Sequence, residues 1–425
     1  MARAPGAGDT TLTNGVLTLT FAGASGLLSS MAVAGGPSTP LTQSLYFYSS
    51  FPGTQKDGQA SGAYIFRPNT SATLPVSGGA PVALVSVSGP VVNEVRSVFS
   101  ARGSQVTRLW AGALAAELEY TVGPIPFADG WGKEVIARYD SGIASAATWY
   151  SDSNGRDSME RRRNYRPNYN YSVTEPVAGN YVPVNLFAYL GDASATLSVV
   201  TDRSQGCASL ADGSLEIMLQ RRLQHDDQRG VGEPLNETGL DGQGLVVRTT
   251  HWLSLAAPAV AGAQRRALAA DALYRPLVRA TPLGATTPAA WIAAHRASFS
   301  GAAPGVLPPQ LHLLTLHSWS PTQLLVRVSH SFEVGEDATL SQPATVSLAA
   351  LLPSLALQAC VETTLTANKP LASAPKSALS WWRRGVGGCE PPYSRTVKPA
   401  RSNPLPPSPP PCAQSRTPWK TAAPP

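Results

Sequence analysis

The sequence predicts a mainly β protein, with a large β-sandwich followed by a smaller one. Three observations predict it. Short stretches of β-branched and aromatic residues alternate with Thr, Ser or Glu at period two. Turn signals separate them at sandwich-like spacing. The 425 residues include 37 glycines and 38 prolines, a composition that favours turns and strands over long helices. At roughly 150 residues per domain this length suggests two or three domains.

Residues 15–21, Gly-Val-Leu-Thr-Leu-Thr-Phe, open the series as a half-buried strand. Stretches 81–88, 91–99 and 113–122 read likewise; in the last, Ala115, Leu118 and Tyr120 alternate with Glu117 and Glu119. Asn154-Gly155 supplies the positive φ angles of a tight hairpin turn. Further strands are expected at 181–189, 195–201, 214–222 and 245–255, and a helix over Ala263–Tyr274 with Leu268, Ala269 and Leu273 on one side. The large sandwich is thus assigned to 1–256 and an Ala/Pro-rich linker with short helices to 257–309. The small sandwich takes 310–385, with strands at 311–316, 323–330, 344–350, 354–360 and 361–366. Val386–Pro425 holds twelve prolines and no hydrophobic periodicity, so this tail is expected to be disordered.

Composition narrows function. The apolar fraction of 43% supports a large core, and the charged fraction is only 14%. Of the net +6, the tail carries +4 and the body +2, which argues against a polyanion binder and leaves no nucleic-acid partner expected. Cys207, Cys360, Cys389 and Cys412 lie too far apart in sequence for a zinc finger or a dense disulfide framework. No apolar run approaches the ~20 residues of a membrane helix, so no membrane partner is expected. The start Met1-Ala2-Arg3-Ala4-Pro5-Gly6 carries no apolar signal core, so the sequence reads as one without a signal peptide.

Few constellations suggest chemistry. His225-Asp226-Asp227 contains an H-x-D spacing that can bind a metal, but no second histidine cluster completes a zinc shell. Pairing of Asp226 and Asp227 with Arg221, Arg222 and Arg229 at a strand end is the preferred reading. Arg161-Arg162-Arg163, with Tyr165, Tyr169 and Tyr171 nearby, could contact RNA. A solvated strand paired with Asp152, Asp157 and Glu160 is preferred. No G-x-S-x-G elbow, Walker loop or G-x-G-x-x-G is present. The six histidines each read as core or surface residues. Asn69, Asn170 and Asn236 head N-x-S/T sequons.

Longer strings carry a resemblance. They include Gln59–Asn69 (Gln-Ala-Ser-Gly-Ala-Tyr-Ile-Phe-Arg-Pro-Asn), Val122–Pro126, Trp131–Ile136 and Tyr150–Arg156. Thr174–Tyr181, Thr201–Gly206 and Asp212–Glu216 follow, the last running into Arg221-Arg222 and Asp226-Asp227. In this order they resemble the C-terminal half of lysosomal-type α-mannosidases, glycoside hydrolase family 38, over roughly residues 10–382.

The resemblance implies a mutarotase-like β super-sandwich and then a smaller sandwich. It implies hydrolysis of terminal α-linked mannose from N-glycans by a retaining enzyme whose zinc and nucleophile lie in an N-terminal barrel. Nothing in this sequence matches that barrel. The expectation is a partial chain that binds no cofactor itself and has no catalytic residue. Its implied partners are the barrel half and a mannosyl oligosaccharide, and its implied address is lysosomal or vacuolar. By motif, Tyr64 corresponds to the tyrosine that reaches the sugar, and a phenol can both donate to and accept from hydroxyls. Arg221 or Arg222 corresponds to an arginine of the same pocket; alternation lets one of them face it, and Arg222 is preferred. Asp226, Asp227 and Arg229 are expected to support the pocket. Cys207 stands where the family has Gly, and the tail after Trp382 matches nothing in it. The competing expectation is a non-catalytic carbohydrate-binding sandwich.

Overall fold

The computed structural model describes residues 8–53, 59–227, 230, 232–296, 298 and 300–374. It divides into two units, 1–359 and 360–425.

Among the described residues the strands of the first unit form two nine-stranded antiparallel sheets and one hairpin. The first sheet runs β1 (Thr10–Thr13), β2 (Leu17–Phe21), β3 (Leu28–Val33), β4 (Ser38–Ser49), then β10 (Lys133–Ser141), β17 (Ser214–Arg222), β16 (Gln205–Ala208) and β13 (Val182–Val184). The short β5 (Leu74–Pro75) lies beside β4. The second sheet runs β12 (Asp157–Arg162), β11 (Thr148–Ser153), β14 (Phe187–Gly191), β15 (Thr196–Thr201) and β18 (Val247–Ala256). It continues through β9 (Ala116–Val122), β8 (Gly103–Trp110), β7 (Val92–Ser100) and β6 (Ala83–Val87).

Inward side chains of both sheets share one core. Leu19, Leu45, Ala137 and Tyr139 come from the first, and Phe99, Leu109, Leu118 and Leu253 from the second. Strand β9 shows why: Ala116, Leu118, Tyr120 and Val122 are buried, while Glu117 and Glu119 on the other face ion-pair with Arg108. The two sheets bear out the expectation of a mainly β fold.

Strand β15 is buried at every position because its outer face is also covered. Helix α1 (Pro258–Leu273) lies there, with Ala269 joining Phe187, Val200 and Trp252. It begins five residues earlier than the periodicity suggested, since Pro258 at the first helical position is preorganised for a helix start. Arg265 and Arg266 of α1 are buried and share the carboxylate of Glu336 at 2.9 Å. Arg266 also donates to the Gly155 and Arg156 carbonyls, tying the helix to the β11–β12 hairpin. That hairpin turns at Asn154 and Gly155, with φ of 51° and 71°, as the dipeptide predicted.

A second buried polar chain crosses the core. The Tyr120 and Tyr139 hydroxyls lie 2.7 Å apart, Tyr139 Oη is 2.7 Å from His251 Nδ1, and His251 Nε2 is 2.8 Å from Gln205 Oε1. Burial pushes the His251 imidazole down to about 3.

Short helix α2 (Pro288–Ala294) follows in the linker region. Strands β19 (Leu311–Ser320) and β20 (Gln323–His330) pair as expected. The strands expected at 344–350 and 354–360 are not seen among the described residues. A helical turn, α3 (Leu348–Leu351), occupies the first, its Ser347 capping the Ala350 amide in competition with an extended run. The second unit's described residues hold an isolated bridge between Thr363 and Pro370 where a strand at 361–366 was expected. The tail 386–425 lies outside the described residues.

Candidate sugar-facing surface

The outer face of the first sheet carries two buried carboxylates. Glu216 on β17 accepts the Tyr48 and Tyr181 hydroxyls, each at 2.7 Å, through Oε1, and the Arg138 guanidinium at 2.7 and 3.0 Å through Oε2. Glu134 on β10 is fully buried. Its Oε1 accepts Ser61 Oγ at 2.7 Å and Arg221 at 2.8 and 3.1 Å; its Oε2 has no hydrogen-bond partner among the described residues. Burial pushes the Glu134 carboxyl above its ordinary range, and Arg221 and Ser61 pull it back only in part.

These groups hold the Ser61-Gly62-Ala63-Tyr64 loop. Arg221 also donates to the Ile65 carbonyl at 2.9 Å, and the Arg67 amide donates to Ser61 Oγ at 3.0 Å. Gly62 is required by close approach: a Cβ there would lie 2.7 Å from both the Cβ and the amide of Asp227. Asp227 is itself fully buried and accepts the Tyr64 amide at 3.3 Å. The Tyr64 side of this anchored loop stays open, with the residue 68% exposed. A rigid loop presenting a free phenol is suited to binding hydroxyls of an external ligand.

Arg221 contacts the loop that carries Tyr64, at Ser61 Oγ and the Ile65 carbonyl, and Arg222 does not. The register of β10 and β17 shifts between Val135 and Ile136, so Glu134 opposes Arg221 on the outer face. Arg222 turns the other way, where it donates to the Ile125 carbonyl at 2.8 Å and lies 4.0 Å over the Phe127 ring. A bulge of this kind is invisible to simple alternation. The expected pairing of Arg221 with Asp226 and Asp227 is likewise replaced by Glu134. Asp226 is partly buried next to Asp227, and Arg229 lies outside the described residues.

The Arg161–Arg163 run does not present one basic face. Arg161 donates to Ser151 Oγ, Arg163 pairs with Asp212 at 2.9 Å, and Arg162 lies over Tyr165. Asp152, expected to pair with it, instead accepts the Asn185, Leu186 and Phe187 amides. Asn69, Asn170 and Asn236 are all exposed. Cys207 is buried and free, and Cys360 is exposed and free.

Among the described residues no three His, Cys, Asp or Glu side chains cluster to hold a metal ion. No helix among them is long and apolar enough to cross a membrane.

Sequence reasoning missed Glu134, Ser61 and Glu216. The available signal was a charged residue inside an otherwise apolar strand, as at Glu134 in Lys-Glu-Val-Ile-Ala and Glu216 in Ser-Leu-Glu-Ile-Met.

Comparison with known proteins agrees with this architecture. The chain is 48% identical over 344 residues to lysosomal α-mannosidase of Bos taurus and 47% identical over 346 residues to that of Homo sapiens, covering 80% of this chain in each case. It is 39% identical over 362 residues to α-mannosidase of Canavalia ensiformis, covering 84% of this chain and 36% of that protein. It spans about a third of the length of the animal relatives, 34% and 33% respectively. Residues 12–229, which contain the two-carboxylate face and the Tyr64 loop, match the glycosyl hydrolases family 38 C-terminal domain, and the chain belongs to that family.

Proposed function

We propose that this chain is the C-terminal region of an α-mannosidase that removes terminal α-linked mannose from N-glycans and related oligosaccharides. In this reading it supplies Tyr64, and Arg221 behind it, as one wall of the sugar pocket, and a zinc-dependent catalytic barrel outside these 425 residues supplies the chemistry. The observation that carries the reading is the exposed Tyr64 on a loop clamped by Glu134, Arg221 and Asp227. Asp226, Asp227 and Arg229 are read as support for that wall, and Arg222, preferred from the sequence as the pocket arginine, gives that place to Arg221 in this reading. The division into a sandwich to 256, a linker to 309 and a small sandwich to 385 belongs to the same proposal. The lysosomal names of the animal relatives support a lysosomal address. The exposed Asn69, Asn170 and Asn236 are compatible with it.

Co-expression with the N-terminal part of the bovine relative and an assay on an aryl α-mannoside tests the proposal. Activity that needs both pieces, and falls when Tyr64 becomes Ala, is expected. Two well-folded pieces that associate without activity would sink it. Binding of mannosides at the Tyr64 surface without any complementation would favour the non-catalytic carbohydrate-binding alternative.

A further inference from the structure

Where the ends of β4 and β9 meet the starts of β8 and β10, the two sheets leave a cavity of about 230 Å³. Its walls are Leu45 and Phe47 of β4, Val135 of β10, Val122 of β9, Ile125 beyond it, and Val76, which follows β5. Leu45, Val122, Ile125 and Val135 belong to the main core, so the cavity is an unfilled extension of it. A dry apolar cavity of ~150 Å³ takes a benzene, and sites for drug-sized ligands begin near ~300 Å³. The volume here suits an apolar body somewhat larger than one benzene ring.

Gly103 keeps the space open. Its backbone carries no positive φ that would demand glycine. A Cβ there would meet Ser100 Oγ at 3.5 Å and Leu45 Cδ1 and Val76 Cγ1 at 3.7 Å, which is ordinary contact. The backbone would therefore accept a side chain between Leu45 and Val76, and the glycine leaves that place vacant.

Charge decides what kind of ligand fits. Two cationic residues line the cavity, and no acidic side chain does. The Lys133 ammonium is already spent: it donates to both Asp129 oxygens at 2.7 and 2.8 Å, and to the Pro126 and Trp131 carbonyls. Only its aliphatic stem serves the wall. Arg102 is exposed and has no carboxylate partner among the described residues. An unneutralised guanidinium beside an apolar cavity complements a molecule with one apolar end and one anionic head. We propose that this cavity binds a small apolar carboxylate, its alkyl or aryl body between Leu45, Val76 and Val122 and its carboxylate on Arg102. The site shares no residue with the Tyr64 surface and does not rest on the role given to it.

Titration calorimetry of the full chain with sodium butanoate, hexanoate and octanoate tests it, with sodium acetate and hexanol as head-only and body-only controls. One-site binding is expected, about fourfold tighter for each added CH₂ and silent for acetate. Hexanoate should bind more tightly than hexanol, and Arg102→Gln should weaken octanoate about two- to fivefold, as for the loss of one exposed ion pair. Gly103→Leu fills the cavity without removing a polar group and should abolish binding; near-ultraviolet circular dichroism shows whether it is folded. A diazirine-bearing octanoate used as a photolabel on the unaltered chain should mark the segments of Phe47, Val76 or Val135, which decides the place of binding without any variant. No saturable octanoate binding, binding that survives in folded Gly103→Leu, or labelling confined to other segments overturns the proposal. Equal affinity for hexanol and hexanoate also overturns it, because the carboxylate would then contribute nothing.

Discussion

Glu216 and Glu134 stand on the same outer face of one sheet, both buried, yet they are treated oppositely. Glu216 has both oxygens satisfied by two tyrosines and an arginine from three other strands or loops. Glu134 concentrates its partners on one oxygen and leaves the other bare. A fully paired buried carboxylate fastens a fold, whereas a half-paired one retains part of its desolvation cost. The half-paired one is the residue under the Tyr64 loop. The difference teaches where this sheet is fully paired and where, beneath the Tyr64 loop, it keeps an uncompensated desolvation cost.

The largest expected effect breaks the better node. Glu216→Ala strands Arg138 and two tyrosine hydroxyls and should destabilise by about 3–5 kcal/mol. Glu134→Ala also removes an uncompensated oxygen and should cost less, about 1–3 kcal/mol. Urea denaturation of both variants checks the order; equal costs would remove the distinction. Gly62→Ala pushes the loop away from Asp227 and should cost about 1–3 kcal/mol by overpacking. It should also expose the loop to limited proteolysis, which Glu216→Ala should do less.

Acid–base behaviour sharpens the comparison. A raised folded value means the native state holds the Glu134 proton more tightly than the unfolded chain does. Its contribution to stability therefore falls as pH rises from the ordinary 4.5 through the raised value, and Glu134→Gln should flatten that slope. His251 has the opposite sign: its folded value of about 3 lies below the ordinary 6.5, so stability should fall as pH drops from 6.5 toward 3. Chemical denaturation of the wild type and His251→Gln across that range checks it. The smallest effect belongs to Tyr64→Phe, within about 0.5 kcal/mol, because the exposed hydroxyl supports neither node.

Much of the fold was legible because one-sided burial writes period two into the strands, as in β9. Strand β17 was read at its full length, 214–222, whereas β4 and β10 were harder, and the charged residues of β10 and β17 carried no readable role. Both faces of β10 and β17 are buried, so Glu134, Glu216 and Arg138 sit among apolar residues without a visible alternation. Tyr64 was legible only through a resemblance, since an exposed tyrosine in a loop has no periodic signature. The choice between Arg221 and Arg222 depended on the bulge opposite Val135–Ile136, a local backbone event that residue types do not encode.

The Glu336 clamp on Arg265 and Arg266 has a consequence for chain integrity. The contact joins α1 to a segment about seventy residues later, and Arg266 extends it to the carbonyls of Gly155 and Arg156. Between α1 and β19 most of the chain is exposed, the ground where proteases nick. A scission there would separate the polypeptide covalently but not physically. The two fragments would travel together through a sizing column and part only in denaturant or detergent.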